Sequence, residues 1–534
     1  MIRIITSLVA VLTITSVQAQ ASVREVPKLV VGITVDQLRG DYLEFFQSTF
    51  SERGFKRLLS EGLVYQNIRF DFPNLDDASA IATIYTGTSP FYHGIVGNKK
   101  YIASQKQEVS VFSDPAYLGN YTDDKVSPLA LKASTITDEL KIASQGYSDV
   151  YSFAPQITQA LIAAGQKGNA AFWIDDYTGK WASTTYYKNF YWSVDQGNRS
   201  GSDFAVKAWG MQWTPLLNIS AYNALPYTKS TPSFQHFMGR DKQTYTLAKQ
   251  TPAVNENVRN SAMTLLTKAD LGKRTNPDFL SLTFYAGGFP GVSDYSYEIQ
   301  DIYARLDREI EKLLDDIDKT VGLKNTLIFI TSTGYYTSTE PSISESSENS
   351  NSTNNTVNKF YINRCEALLN MYLMAIYGRD GQWVDKFYNG QVYLNRELIK
   401  SKGVSLQEIQ DKAAEFISEF TGVQEVYTSF QLRHGQWNPV MEYYKNGYTK
   451  ETSGDLFVEL QPGYKIVNEQ DASFKEKQVR NNAIISPVIF FGNNIKPARI
   501  KRTIRATEIA PTLAYIMRIR SPNAAKDEPL SELR

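Results

Sequence analysis

An α/β protein with a doubly wound, mostly parallel central sheet flanked by helices is the fold this sequence predicts. Three features predict it: short β-branched apolar runs, a long amphipathic helical segment between two of them, and a carboxylate at the end of the first run. The first run, Lys28–Val35, ends at Asp36. Its unbroken apolar character marks a strand covered on both faces, and in such sheets ligands gather at the carboxyl ends. Gly54–Gly62 reads as a short amphipathic helix closed by glycine, followed by a strand near Tyr65–Phe70. Ser79–Thr86 leads into Gly87 and a loop through His93-Gly94-Ile95. Phe279–Phe284 and Thr326–Ile330 read as further strands. Between them Ile299, Ile302, Leu306, Ile310, Leu313, Leu314 and Ile317 recur at helical spacing. Pro487–Phe491 gives a last buried strand before Gly492.

Two stretches break this alternation and are expected as inserted cap segments: residues 147–200, rich in Tyr, Trp and Gly, and residues 383–464. Residues 342–358 are low-complexity Ser, Asn and Glu, too polar to offset the entropy of ordering, and are expected as a flexible exposed loop. Residues 1–19 have a basic start, an apolar stretch from Ile4 to Val17 and the small-x-small end Val17-Gln18-Ala19, the pattern of a secretory signal peptide. The remainder, 20–534, is then one α/β domain, periplasmic or secreted. It contains no apolar run of about 18 residues, so no transmembrane span is expected in the mature chain.

The 56 basic and 56 acidic side chains cancel, so nothing favours a polyanionic partner and nucleic acid is not expected. The single cysteine, Cys365, rules out an intrachain disulfide and reads as a buried small hydrophobe. Only three histidines occur: His93, His236 and His434. Ser79 and Ser332 have no histidine near them in sequence, so nothing supports a serine hydrolase. Asp315, Asp316 and Asp318 read as an exposed charged turn closing a helix.

Several ordered stretches together resemble the PafA-type bacterial alkaline phosphatases, the two-zinc, threonine-nucleophile branch of the alkaline phosphatase superfamily. They are Val30–Arg39, Gly54–Leu59, Ile84–Gly87, His93-Gly94-Ile95 with Gly97-Asn98, Gln391–Arg396, Ser453-Gly454-Asp455, Leu460–Gly463, Pro487–Gly492 and Glu508–Ala514. The resemblance implies an alkaline-phosphatase-like sheet and two zinc ions clamping the attacking and leaving oxygens of a phosphate ester.

Carried over position by position, the resemblance also implies the loss of that site. The first ligand Asp corresponds to Asp36, and Asn98, a phosphoryl contact in the family, is kept. The nucleophile position holds Asp77, with Asp76 beside it. Phe284 and Gly288 stand where a ligand Asp and His are expected, and Ser332 and Thr333 replace another Asp and His. Lys475, Glu476 and Lys477 occupy the region of the last ligand His, and Gln156 and Thr158 replace the Lys-x-Arg pair that binds phosphoryl oxygens. The histidine count agrees without any alignment, because a site of this type needs three histidine ligands and His93 lies in a turn that is not a ligand position.

The expectation is a catalytically inactive relative that binds no zinc, reusing the scaffold for binding, scaffolding or regulation of an unknown envelope protein or ligand. Two alternatives stand beside it. One is a diverged phosphoric-ester hydrolase with a remodelled site, in which Asp36, Asp76 and Asp77 hold a hard cation; the bland reading of Asp77 is a helix N-cap. The other is a glycan- or peptide-binding module using Trp173, Tyr177, Trp181, Tyr186, Tyr187 and Tyr191.

Overall fold

The computed structural model describes residues 25–188, 190–200, 204–223, 233–292, 296–337, 358–471, 474, 476–479 and 484–534. Residues 1–19, expected as a signal peptide, the polar stretch 342–358 up to residue 357, and Lys475 lie outside the described residues.

Along the chain, strand β1 (Leu29–Asp36) is followed by β2 (Leu63–Tyr65), helix α1 (Asp77–Thr86), β3 (Gly119–Asn120), β4 (Val150–Ala154), α2 (Ile157–Ala164), β5 (Ala170–Ile174) and β6 (Trp181–Thr184). Next come α3 (Ala253–Lys268), β7 (Asp278–Tyr285), α4 (Tyr297–Thr320) and β8 (Thr326–Ser332). A separate group of strands, β9 (Val384–Tyr388), β10 (Gln391–Leu394), β11 (Val423–Thr428) and β12 (Leu456–Leu460), precedes β13 (Val488–Gly492) and β14 (Ala498–Ile500).

Ten strands form the central sheet in the order β14-β2-β13-β8-β1-β7-β4-β5-β6-β3. Its middle, β8-β1-β7-β4-β5, is parallel throughout. Strand β13 joins antiparallel to β8, and β6 antiparallel to β5. All eight residues of β1 are buried, as expected of a strand with helices over both faces. Helix α4 lays Ile299, Ile302, Leu306, Ile310, Leu313, Leu314 and Ile317 against this core. Every residue of α1 is buried, so this helix has no solvent face and shows no amphipathic period in the sequence.

Residues 147–200 are not an insertion. They supply β4, β5 and β6, three neighbouring strands of the central sheet, along with α2. Their aromatics look inward for the same reason: Trp173, Trp181 and Tyr187 are buried in the main core, Tyr186 and Tyr191 pack against it, and of the six only Tyr177 is largely exposed. An aromatic binding face at these residues is therefore excluded by packing.

Residues 383–464 carry a separate group of strands. Strands β9-β10-β12-β11 make a second, antiparallel sheet. With the helices Ile362–Tyr377 and Leu406–Ser418, this sheet encloses its own core around Trp383, Leu394, Ile409 and Leu456, into which Cys365 is buried. Asp315, Asp316 and Asp318 lie within α4, not in a turn; Asp315 pairs with Arg53 and Asp316 with Arg259. Among the described residues no helix is long and apolar enough to cross a membrane.

Candidate functional site

The parallel register brings the expected positions together. Val35 of β1 lies opposite Phe284 of β7 and Ser332 of β8, so Asp36, Tyr285 and Thr333 share one edge at the carboxyl ends of three adjacent strands. The chain turns sharply after Asp36, because Gln37 takes a left-handed conformation with φ 62°. Its amide donates to Thr333 Oγ1 at 2.9 Å, and that hydroxyl donates onward to Asp36 Oδ1 at 3.0 Å. The hydroxyl of Thr333 thus links the backbone after β1 to a buried carboxyl.

The other substituted positions are satisfied inside the protein. Phe284 is fully buried in the core. The carbonyl of Gly288 accepts the Tyr285 hydroxyl at 2.6 Å, and Ser332 Oγ donates to the carbonyl of Leu38 at 2.7 Å. Glu476 pairs with Lys465.

The N-terminus of α1 holds two carboxylates with different tasks. Asp76, not Asp77, is the N-cap: its Oδ1 accepts from the Ser79 amide at 2.9 Å and the Ser79 hydroxyl at 2.8 Å. Its Oδ2 accepts from the backbone and side-chain nitrogens of Asn98 at 2.8 and 3.0 Å. Asp77, the first residue of the helix, faces a cavity. Asn98 Nδ2 reaches its Oδ1 at 2.5 Å and Gln159 Nε2 its Oδ2 at 2.8 Å. Thr158 Oγ1 closes the chain by donating to Asn98 Oδ1 at 2.6 Å. Gln156, Thr158 and Gln159 sit at the start of α2, so two helix N-termini converge on Asp77, and their partial positive ends favour a negative group there.

The cavity between these elements measures about 720 Å³, and its lining includes Asp36, Gln37, Asp77, Asn98, Lys99, Ser110, Gln156, Thr158, Gln159, Lys249, Gln250, Tyr285 and Tyr335. Burial pushes the Asp36 carboxyl up to about 8, and the nearby charge of Asp77 adds to this against hydrogen bonds from Thr333, Tyr335 and Gln37. Burial also raises Asp76, followed by the charge of Asp77. Asp77 is raised by burial and drawn back by Asn98 and Gln159. Among the described residues no group of three or more His, Cys, Asp or Glu side chains is arranged to hold a metal ion.

The histidines stand apart from this site. His93 is buried, and its Nδ1 accepts from the Ile95 amide at 3.1 Å. Thr83 Oγ1 donates to the Ser79 carbonyl, so Nε2 carries the ring proton and donates to Thr83 at 3.2 Å. Burial lowers this imidazole to about 3. His236 contacts Glu298 at 2.9 Å, and His434 ends a short helix against Phe430.

Sequence reasoning missed Lys249 and Gln159. Lys249 is 2% exposed, with its ammonium 3.1 Å from the Pro155 and Ile174 carbonyls, 3.2 Å from Gln156 Oε1 and 2.6 Å from Asp176. It lies 93 positions from its partner Gln156, and no local pattern marks it. Gln159 was within reach, because a glutamine three positions after Gln156 is a capping-box spacing.

Comparison with known proteins agrees with this geometry. The family model for type I phosphodiesterase / nucleotide pyrophosphatase matches residues 30–482. A Myroides odoratus protein named calcium-transporting ATPase is 30% identical, with 95% of each chain covered. Alkaline phosphatase PafA of Elizabethkingia meningoseptica is 27% identical over 95% of this chain and 94% of that one. The crystal structure of wild-type PafA superposes with a TM-score of 0.81 at 26% identity, covering 95% of this chain and 99% of that one.

Proposed function

The chain belongs to the type I phosphodiesterase / nucleotide pyrophosphatase family of the alkaline phosphatase superfamily and is related to PafA, and we propose that it is a catalytically inactive member whose cavity is kept for binding. In this reading the protein acts in the cell envelope, periplasmic or secreted, with a binding, scaffolding or regulatory role toward a partner or ligand. The observation that carries the reading is the position of Asp77. Its carboxylate occupies the place where two helix N-termini and Asn98 would meet a phosphoryl group, and it takes up the side-chain donors of Asn98 and Gln159. A phosphoryl dianion entering this cavity meets a fixed negative charge and finds those donors already committed.

The donor set is also unsuited to zinc. A protein zinc site needs three or four nitrogen, sulfur or carboxylate ligands. Here Asp36 is flanked by Thr333, Ser332, Gly288 and Phe284, whose polar atoms bond within the protein. A hydroxyl stands where the family places a ligand histidine and donates to Asp36, which supports a site rebuilt around neutral hydrogen bonds.

A second reading, a diverged phosphoric-ester hydrolase, is favoured by the family itself and by a phosphatase relative that aligns over nearly its full length. One experiment separates the two. The purified mature protein is loaded with excess zinc, dialysed and assayed with p-nitrophenyl phosphate and bis-p-nitrophenyl phosphate, alongside elemental analysis. The binding reading expects well under one zinc per chain and no turnover above buffer. Two tightly held zinc ions, or metal-dependent turnover, would establish the hydrolase instead.

A further inference from the structure

The helix Ile362–Tyr377 is apolar over more of its surface than the protein covers. Ile362, Cys365, Leu369 and Leu373 are buried in the core beneath the second sheet. Leu368, Met371, Tyr372, Ala375 and Ile376 fall at i, i+3, i+4, i+7 and i+8, a second stripe of helical period beside the first. Leu368 and Ile376 are each 47% exposed and Met371 is 64% exposed. Ala367 and Ala375 are exposed with them. Sideways the apolar surface continues onto the helix Leu406–Ser418, where Tyr372 stacks on Phe416 with ring centroids 4.3 Å apart. No charged side chain interrupts residues 367–376. A surface helix ordinarily turns a polar face to water, so a contiguous apolar stripe of this length marks an interaction surface.

The stretch of chain leading into this region does not supply the cover: residues 338–357 are mostly Ser, Asn, Thr and Glu, with Ile343 and Val357 their aliphatic residues. A second copy fits, because the stripe is complementary to itself. Turned antiparallel about the midpoint between Met371 and Tyr372, two such helices set Leu368 against the partner's Ala375 and Ile376 against the partner's Ala367. A large side chain then meets a small one at both ends, as an isologous two-fold contact requires. Met371 lies at the axis, where a flexible thioether adapts to the surface it meets. Antiparallel helices also set each N-terminus beside a C-terminus, which opposes their dipoles favourably. Both ends of the stripe carry both signs of charge. Arg364 pairs with Glu469 at one end, and at the other Lys402 pairs with Asp380, beside Arg379 and the Glu408 that holds Tyr377. The rim therefore adds no net repulsion between copies.

We infer that the helix Ile362–Tyr377 is the centre of a two-fold interface between two copies of this chain, packed antiparallel through Leu368, Met371, Ala375 and Ile376. An apolar centre ringed by charges of both signs is the ordinary make-up of such an interface. The inference is independent of what the cavity at Asp36 and Asp77 binds or does.

The test uses the mature full chain. Sedimentation equilibrium and light scattering over about 1 to about 100 µM protein are expected to show the mass rising from one chain to two. Met371→Glu should weaken dimerisation at least tenfold, and because Met371 is exposed the variant leaves the core intact. Leu118→Glu, at an apolar position 60% exposed outside this helix, should leave dimerisation unchanged. Register is read by combining Leu368→Cys with Ala375→Cys. Within one chain these positions lie about 10 Å apart along the axis, too far for an intrachain disulfide, so oxidation should link two chains. A monomer at every concentration, a dimer that survives Met371→Glu, or one lost equally in Leu118→Glu overturns the inference. A dimer sensitive to Met371→Glu that the cysteine pair does not link overturns the antiparallel packing. A monomer whose binding to neutral lipid vesicles is abolished by Met371→Glu gives the stripe to a membrane and overturns the second copy.

Discussion

Replacing Asp77 with Asn tests the electrostatics of the site through folding stability, independently of any ligand. Asp36 has an ordinary value of 3.8 and is pushed up to about 8 in the folded protein, by burial first and by the charge of Asp77 second. A carboxyl raised on folding binds its proton more tightly in the native state. Its stabilising contribution is therefore complete below about pH 4 and lost as pH rises toward 8. Each tenfold change in acidity is worth about 1.4 kcal/mol, so holding Asp36 ionised costs the native state on the order of 5 kcal/mol. Two unit charges in near contact, about 4 Å apart, repel by roughly 4 kcal/mol at an effective dielectric near 20, which is an upper bound on the share assignable to Asp77. Asp77→Asn also places an amide against the donor of Gln159, a cost of about 1–2 kcal/mol that does not depend on pH. The diagnostic is thus the pH slope and not the absolute stability. Urea unfolding at pH 5, 7 and 9 should show the natural protein losing stability across the series. The variant should lose about 2–3 kcal/mol less between pH 5 and pH 9. An unchanged slope in the variant, or a flat profile in the natural protein, would refute the coupling of Asp36 to Asp77.

Three further outcomes are expected. Lys249→Met should cost about 2 kcal/mol or more in urea unfolding, because it leaves two buried carbonyls without their donor while the half-exposed Asp176 regains water, and a loss below about 1 kcal/mol would show that the ammonium is not structurally committed. The His93 imidazole, lowered to about 3 by burial, should stay neutral in NMR titration down to pH 4; its contribution to stability is complete above the ordinary value of 6.5 and lost as pH falls toward 3, and titration near 6.5 would contradict its burial. N-terminal sequencing of the exported protein should begin near Gln20, and an intact Met1 on the mature chain would refute the signal-peptide reading.

Much of the site was legible in the sequence as a list of positions. Asp36 after a β-branched run, Asn98 after the His-Gly-Ile turn, and Gln156 and Thr158 at a helix start all line one cavity. Phe284, Gly288, Ser332 and Thr333 end or follow the two strands that flank β1. What these side chains do there was not legible. Thr333 reads as an inert replacement until its hydroxyl is seen bridging Gln37 and Asp36. Choosing the N-cap between two adjacent aspartates likewise needed the direction of each side chain, since Asp76 turns back to Ser79 while Asp77 turns to Gln159.

The sequence by itself determined the class of fold and the residues at its strand ends, because buried parallel strands leave continuous apolar runs and a long helix leaves its period. It also limited the chain to three histidines, and none of them lines the cavity. Tertiary structure alone decided that residues 147–200 belong to the central sheet. Strands of four or five residues carry too little pattern to reveal partners such as β7, more than a hundred positions away. The same non-local pairing turned the aromatics of that stretch inward, carried Lys249 to the cavity wall and set Asn98 and Gln159 on Asp77. Such contacts depend on which elements become neighbours in space, and neither composition nor local spacing encodes that.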